Sequence, residues 1–361
     1  MPALDFWVVQ SPEDLRRTAA RAAEAERLGF TGVAYGDSQS RSGDTVVAMT
    51  VAALSTSTIG IGTGVTNCYT RHPAVMAGAF ASLQNVSNGR MLCGIGRGDS
   101  ALAFLGVAPA PLDYFARYLR ALQGYLSGGE VPFEDLPTAG LSDAAVLPLE
   151  ERPAFSSLRW VDGSVPKVPV DVAASGPKVI RLAALIADRL TFAVGAEPTR
   201  VAWAIDLARQ ARADAGLDPD GIRYGAFITV AVDDDPGEAR RLGGGILTAV
   251  SRLSVMHGTI QGPVDEMARQ TFTALRERYH MSGHAESGSA HGQLASAEFA
   301  DAYGLYGPPE HFVERLNELV ELGITHVRLV PPLKTSDPDG VTMRRLGEEV
   351  IPSFERVGFA A

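Results

Sequence analysis

The stretch Ala173-Ala174-Ser175-Gly176-Pro177-Lys178 stands directly before a helical pattern. There the free N–H groups of a helix start, a serine hydroxyl and a lysine can converge on an anion. The same residues also read as an ordinary serine cap followed by Gly-Pro turn chemistry, and composition leaves both readings open. Two other stretches, Ile59-Gly60-Ile61-Gly62-Thr63-Gly64-Val65-Thr66-Asn67 and Cys93-Gly94-Ile95-Gly96-Arg97-Gly98-Asp99, are strand-like but rich in glycine. Glycine weakens a strand interior, so each needs a reason: close packing, or a flat ligand lying against bare backbone. Neither stretch is a dinucleotide fingerprint, because the spacing is G-x-G-x-G and no acidic residue at the expected distance completes it. Thr70-Arg71-His72-Pro73 either begins a helix or presents Arg71 and His72 to an anionic ligand. In Tyr35-Gly36-Asp37-Ser38, Asp37 either accepts a ring N–H or forms a turn. His280, His284 and His291 cluster around Gly283 and Gly288 in loop-like sequence with no accompanying carboxylate pattern, so no metal site is expected.

Strand and helix signals that alternate along the chain place these groups. The predicted strands are Leu4–Val9, Thr31–Tyr35, Thr58–Thr66, Met91–Gly96, Val168–Ala173, Leu190–Val194, Tyr224–Val232 and His326–Val330. Ser11-Pro12-Glu13-Asp14 predicts a first helix capped by Ser11, with Leu15, Ala19, Ala22 and Ala23 buried and Gly29 at its end. Further helices are predicted over Thr45–Leu54, His72–Val86, Leu112–Leu126, Pro198–Ala215, Pro236–Met256 and Val341–Val357. Val179, Leu182, Ala183 and Ile186 mark the buried face of another, and Phe312, Leu316, Leu319 and Val320 that of a helix closed by Gly323. Eight β–α steps imply an α/β fold in which a parallel sheet closes into a (β/α)₈ TIM barrel, with the active site at the C-terminal ends of the strands. The whole chain, 1–361, reads as one such domain with insertions at about 128–166 and 259–305. The first insertion suggests a hairpin turning at Asp162-Gly163, and loops of this length are often lids or binding elements.

Bulk composition narrows the function. Hydrophobic residues make up 46% of the chain, enough for a large core, and the formal net charge is −10. That charge disfavours nucleic acid and anionic membrane as partners, and a local positive patch must hold any anionic cofactor. Cys68 and Cys93 give neither a disulfide framework nor zinc spacing, and they fit a reduced, cytoplasmic protein. No leader is expected from the first residues, and no apolar run approaches the roughly 20 residues that span a bilayer. A small-molecule substrate and a homodimer or higher homo-oligomer are expected. Trp7, Trp160 and Trp203 read as packing residues, Trp7 least firmly because it lies near the end of the first strand.

In this order the segments resemble the luciferase-like oxidoreductase superfamily, especially its deazaflavin branch typified by methylenetetrahydromethanopterin reductase. Gly64-Val65-Thr66-Asn67 through Thr70-Arg71-His72-Pro73 carries most of the likeness. Ser87-Asn88-Gly89-Arg90 before Gly94-Ile95-Gly96 adds to it, as does Ser175-Gly176-Pro177-Lys178 before Ala187-Asp188-Arg189. Asp37-Ser38 stands where several members of that branch have Asp-His, Asp5 where relatives can carry glutamate, and Arg97 where many have a small residue.

The resemblance implies a barrel with a cofactor across the strand ends and a cis peptide bond at Gly64–Val65 behind its ring. Coenzyme F420, a deazaflavin, is the implied cofactor, exchanging a hydride with a small organic electrophile. Gly64, Val65 and Thr66 would form the ring floor, Asp37 and Asn67 its edge contacts, and Ser175, Gly176, Pro177 and Lys178 the phosphate site. Asp5, Trp7, Arg71, His72 and Arg97 would line the substrate side, with Asp37, His72 and Arg97 as candidate catalytic groups. Two other readings keep the fold: a monooxygenase using reduced FMN, and a flavin-binding protein without catalysis.

Overall fold

The computed structural model describes residues 1–137, 148, 150–151, 153–256 and 258–356. Among these, eight parallel strands close a cylinder: β1 (Asp5–Gln10), β2 (Gly32–Tyr35), β3 (Gly60–Thr63), β4 (Met91–Gly96), β5 (Val170–Ala174), β6 (Arg189–Phe192), β7 (Arg223–Val232) and β8 (His326–Val330). Each pairs with the next, and β8 closes onto β1 with Trp7 opposite Arg328. All eight correspond to strands predicted from the alternation of β and α signals. Helices α1 (Thr18–Arg27), α2 (Thr45–Ser55), α3 (Pro73–Val86), α4 (Leu112–Leu126), α5 (Pro177–Ile186), α6 (Pro198–Asp214), α7 (Pro236–Ser251) and α8 (Pro309–Leu322) accompany the strands. Proline opens α3, α5, α6, α7 and α8, where its missing N–H leaves no intrahelical bond unmade.

Strand parity sorts the side chains. Phe6 and Val8 on β1, Val170 and Val172 on β5, and Val327 and Leu329 on β8 join the apolar core that the strands share with the helices. The opposite parity points into the cylinder in layers. Asp5 and His326 are partners near the N-terminal ends, Trp7 and Arg328 are next, and Val9 and Val330 reach the cavity at the C-terminal ends.

Four local expectations are corrected. Asp14, not Ser11, caps the first helical turn, a 3₁₀ turn over Leu15–Arg17, and α1 begins only at Thr18. The buried face is therefore Thr18, Ala22 and Ala25, while Ala23 is exposed. The final helix spans only Val341–Arg345 and gives way to a π turn over Leu346–Val350. Gly347 packs there against Leu28, where a Cβ would lie 2.6 Å from the Leu28 Cβ, and Pro352 follows without an N–H. Val357, the expected end of that helix, lies outside the described residues. In the first insertion the antiparallel pairing is Val131–Pro132 with Phe155–Ser156, not a hairpin around Asp162-Gly163. The second insertion contains an unpredicted helix, Glu266–Arg278, capped by the Asp265 carboxylate.

Candidate active site

The C-terminal strand ends open into a cavity of about 740 Å³, a size suited to a cofactor together with a small ligand. Its lower wall settles the question left open for the glycines, strand by strand. A Cβ at Gly62 would lie 2.3 Å from the Leu92 carbonyl oxygen, and one at Gly94 would lie 2.0 Å from the Thr63 carbonyl oxygen. These two serve close approach between β3 and β4. Gly64 and Gly96, two residues further along, line the cavity itself. The Gly64–Val65 peptide bond is cis, and Thr66–Asn67 then re-pairs with Ile95–Gly96.

Beside this floor, one Asp37 carboxylate oxygen accepts the Thr66 hydroxyl at 2.5 Å and an Arg71 N–H at 2.6 Å. The other accepts the Gln39 amide at 2.6 Å. Asn67 Oδ1 accepts the backbone N–H groups of Tyr69 and Thr70, each at 3.0 Å, which fixes which end of its amide is the donor. Its Nδ2, and the Ser38 hydroxyl, are buried with no partner among the described residues, though both side chains line the cavity. Buried polar atoms are normally satisfied, so a polar ligand edge suits this place.

At the far side, Ser175, Gly176, Pro177 and Lys178 all line the cavity. The cap of α5 is Gly176 rather than Ser175, and no side chain bonds there, so the serine-cap reading does not hold. A Cβ on Gly176 would meet no atom within 4 Å, which leaves backbone open to the cavity. The first N–H groups of α5 lack intrahelical partners, and the helix dipole favours an anion at that end. Donor type, charge and open backbone fit a phosphate.

The candidates separate into two groups. Asp37, Gly64, Val65, Thr66, Asn67, Arg97 and Ser175–Lys178 meet at the cavity. Asp5, Trp7, Arg71 and His72 are not among its lining residues. Asp5 is buried near the N-terminal strand ends and binds Arg223 at 2.6 Å. Trp7 is buried in the cylinder interior against Gly32. Arg71 is turned onto Asp37 and Asp44. His72 caps α3, its Nδ1 accepting the Ala74 N–H at 3.2 Å, so it serves the helix start rather than an anionic ligand. Arg97 donates to the Ala110 carbonyl at 2.6 Å.

A family model described as luciferase-like monooxygenase matches residues 3–326. The chain belongs to that family. This luciferase-like chain is similar to 5,10-methylenetetrahydromethanopterin reductase of Methanolobus tindarius, with 25% identity over 352 residues, 96% of this chain and 100% of the relative. The solved coenzyme F420-dependent tetrahydromethanopterin reductase of Methanopyrus kandleri matches with a TM-score of 0.72 at 23% identity, covering 98% of this chain and 100% of that one. An F420-dependent secondary alcohol dehydrogenase, solved with an F420–acetone adduct, matches with a TM-score of 0.69 at 18% identity over 98% of this chain and 100% of that one. These structural likenesses establish the shared fold.

The luciferase-like barrel also holds groups that sequence reading missed. Below the floor, Arg328 donates to Asp171 at 2.6 and 3.0 Å and to the Thr63 carbonyl at 2.8 Å, with its guanidinium 5.5 Å from the Trp7 ring centre and 5.6 Å from that of Phe227. Burial disfavours the Asp171 carboxylate, but the Arg328 guanidinium and the Thr191 hydroxyl outweigh it and hold the pKa below the ordinary value. Burial drives His326 down to about 3 although Asp171 pulls the other way, so the imidazole is neutral. The signal was present as charged residues of one parity inside apolar strands, His326 and Arg328 in β8 and Asp171 in β5. At the rim, Asp99 pairs with Arg252, and Tyr279 with His284.

Proposed function

We propose that this chain is an oxidoreductase that binds coenzyme F420 and exchanges a hydride with a small organic electrophile. The observation that carries the reading is one cavity with a flat, glycine-lined floor at Gly64–Val65 and an open helix start at Ser175–Lys178. A planar ring with a phosphate-bearing tail fits both ends, and the family membership and the names of the relatives agree with it. When bound, coenzyme F420 supplies or accepts the hydride. The protein orients the ring and excludes water. Gly64, Val65 and Thr66 support the ring from below, with Thr66 held in place by Asp37. Asn67 Nδ2 and the Ser38 hydroxyl meet polar atoms of the ring edge. Lys178 and the N–H groups at the start of α5 take the phosphate against the chain's negative net charge.

The test is titration of the purified protein with coenzyme F420 and with FMN, followed by fluorescence and absorbance. Binding of the deazaflavin in preference to FMN is expected. Tight FMN binding with none for the deazaflavin would transfer the site to the monooxygenase reading. We also read the protein as a single domain working in the cytoplasm as a homo-oligomer. Buried thiols at Cys68 and Cys93 suit a reducing compartment, and light scattering on the purified protein tests the assembly.

A further inference from the structure

In an eight-stranded cylinder β3 stands opposite β7, and β4 opposite β8. Gly64 and Gly96, at the ends of β3 and β4, therefore look across the cavity at Phe227 of β7 and Val330 of β8. Ile246 and Val250 of α7, with Leu253 just beyond it, extend that facing wall. These residues are apolar, so a molecule lying between a ring on the floor and this wall meets hydrocarbon and no charge from them.

Beside that wall Ser254, Thr259, Gln261 and His284 bring polar groups to the cavity, and of these His284 alone carries a titratable ring. His284, in the segment between the Glu266–Arg278 helix and β8, lines the cavity. Its place is fixed by three contacts. Arg41 donates to its carbonyl at 3.1 Å, the Phe104 ring packs edge-on at 6.3 Å, and Tyr279 Oη lies 2.5 Å from its Nδ1. Tyr279 is fixed in turn. The Arg252 guanidinium lies 5.1 Å from its ring centre while pairing with Asp99, and the His291 ring packs 4.1 Å from it on centroids. The proton relay uses the tautomer in which Tyr279 Oη donates to Nδ1, with the ring hydrogen of His284 on Nε2. Nε2 has no hydrogen-bond partner among the described residues. Burial, with Arg41 and Arg252 nearby, lowers the His284 pKa to about 3, so the ring is neutral at physiological pH.

We infer that His284, oriented and resupplied with a proton by Tyr279, is a catalytic acid–base group acting on the oxygen of an apolar ketone or, in reverse, of the corresponding secondary alcohol. This rests on the deazaflavin reading above, which supplies the hydride. As the carbonyl carbon accepts the hydride, the electron pair of the C=O π bond moves to oxygen. That oxygen takes the hydrogen from His284 Nε2, while Nδ1 takes the Tyr279 proton. The resulting phenolate regains a proton from water, so carbonyl, hydride and one proton give the alcohol. The transfer runs downhill, because an alkoxide is a stronger base than a phenolate, even with the Tyr279 phenol pushed up to about 12 by burial. Arg252 over the ring favours the transient negative charge.

The experiment uses the full chain with reduced coenzyme F420 and cyclohexanone as probe, with glucose 6-phosphate as the charged comparison. Cyclohexanone is expected to be reduced in preference to the sugar phosphate. His284→Ala is expected to lower single-turnover reduction by about 100-fold or more, the ordinary contribution of a positioned proton donor. Tyr279→Phe is expected to lower it about tenfold or more, with deazaflavin binding by fluorescence kept within about twofold in both. A readout independent of cofactor is the ¹⁵N spectrum of imidazole-labelled, cofactor-free protein. His284 is expected to be neutral with its hydrogen on Nε2, that resonance shifts on adding cyclohexanone, and Tyr279→Phe admits the other tautomer. Wild-type turnover in both variants, preference for the sugar phosphate, or an Nε2–H resonance indifferent to cyclohexanone overturns the inference. Failure to bind the deazaflavin at all overturns the cofactor reading and the hydride step with it, and is distinguished because the fluorescence titration reports it before any ketone is added.

Discussion

The Asp37 carboxylate and the Arg71 guanidinium, from the loops after β2 and β3, meet at 2.6 Å, and the oxygen that joins them also accepts the Thr66 hydroxyl. With Gln39 on its second oxygen, Asp37 is occupied by the protein's own donors. Its part is to hold Thr66 and Arg71 in place beside the floor. Arg71 is neutralised by this pairing and by Asp44, so the proposed phosphate site draws its positive character from Lys178 and the start of α5.

Replacing Asp37 with asparagine preserves shape and removes the charge that Arg71 and Thr66 share. Arg71 keeps only Asp44, at 3.2 Å and half exposed. Loss of one charge-assisted bond of this kind costs about 1.5–3 kcal/mol. The urea midpoint of Asp37→Asn should fall accordingly with an unchanged m-value. An unmoved midpoint would show that the cluster adds nothing to folding.

Lys178 lines the cavity at the first turn of α5. Lys178→Gln removes one cation from the proposed phosphate site and leaves the backbone donors in place. Coenzyme F420 should then bind about tenfold more weakly, the value of one charged hydrogen bond, and the affinity should depend less on ionic strength. Unchanged affinity and salt dependence would locate the anion elsewhere.

What was legible in the sequence, and what was not, follows from how far each feature depends on neighbours in the chain. The eight strands and the Gly323 stop of α8, left-handed with φ 109°, are written in local periodicity and turn chemistry. Ser175–Lys178 and Gly64–Asn67 were also found locally, and the structure brings them to one cavity. The partnership of Asp171 with Arg328 joins residues 157 positions apart. Sequence marks each as an odd charge in an apolar strand but cannot say that closure of the cylinder makes them meet. Asp5 failed for the same reason: its strand was right, but its place near the N-terminal end put it below the site. Tyr279 and His284 are only five residues apart, yet the surrounding glycine and serine read as structureless loop, and His284 is held by Arg41 from another loop.

The acid side of the stability curve should report His326. Its folded pKa of about 3, set first by burial, lies below the ordinary value near 6.5. Between those values the unfolded chain binds a proton that the folded chain refuses, so stability rises with pH across this window. The contribution is complete above about pH 6.5 and is lost as pH falls toward about 3, at up to about 1.4 kcal/mol per pH unit. His284, also lowered to about 3, adds a term of the same sign. Unfolding free energies measured from pH 7 to pH 4 should show a shallower slope for His326→Gln than for the wild type. Equal slopes would mean that the folded barrel accepts a charged imidazole at that position.

The paired glycines of β4 separate packing from binding within three residues. A Cβ at Gly94 would lie 2.0 Å from the Thr63 carbonyl oxygen and 3.0 Å from Arg328, and the first of these contacts is backbone that cannot turn aside. A Cβ at Gly96 would find its nearest neighbour, Val65 Cγ2, at 3.5 Å, an ordinary contact, while standing on the cavity wall. Gly94→Ala should therefore destabilise the fold by about 1–3 kcal/mol or more, the usual cost of overpacking. Gly96→Ala should leave the melting transition nearly in place, within about 0.5 kcal/mol. Coenzyme F420 affinity should respond in the opposite order, with Gly96→Ala losing about tenfold because its methyl group occupies space proposed for the ring. Thermal melts and deazaflavin titrations of the two variants decide this. If Gly96→Ala binds like the wild type, the ring does not rest against β4, and the floor formed by Gly64 and Val65 must serve a smaller or differently placed ligand.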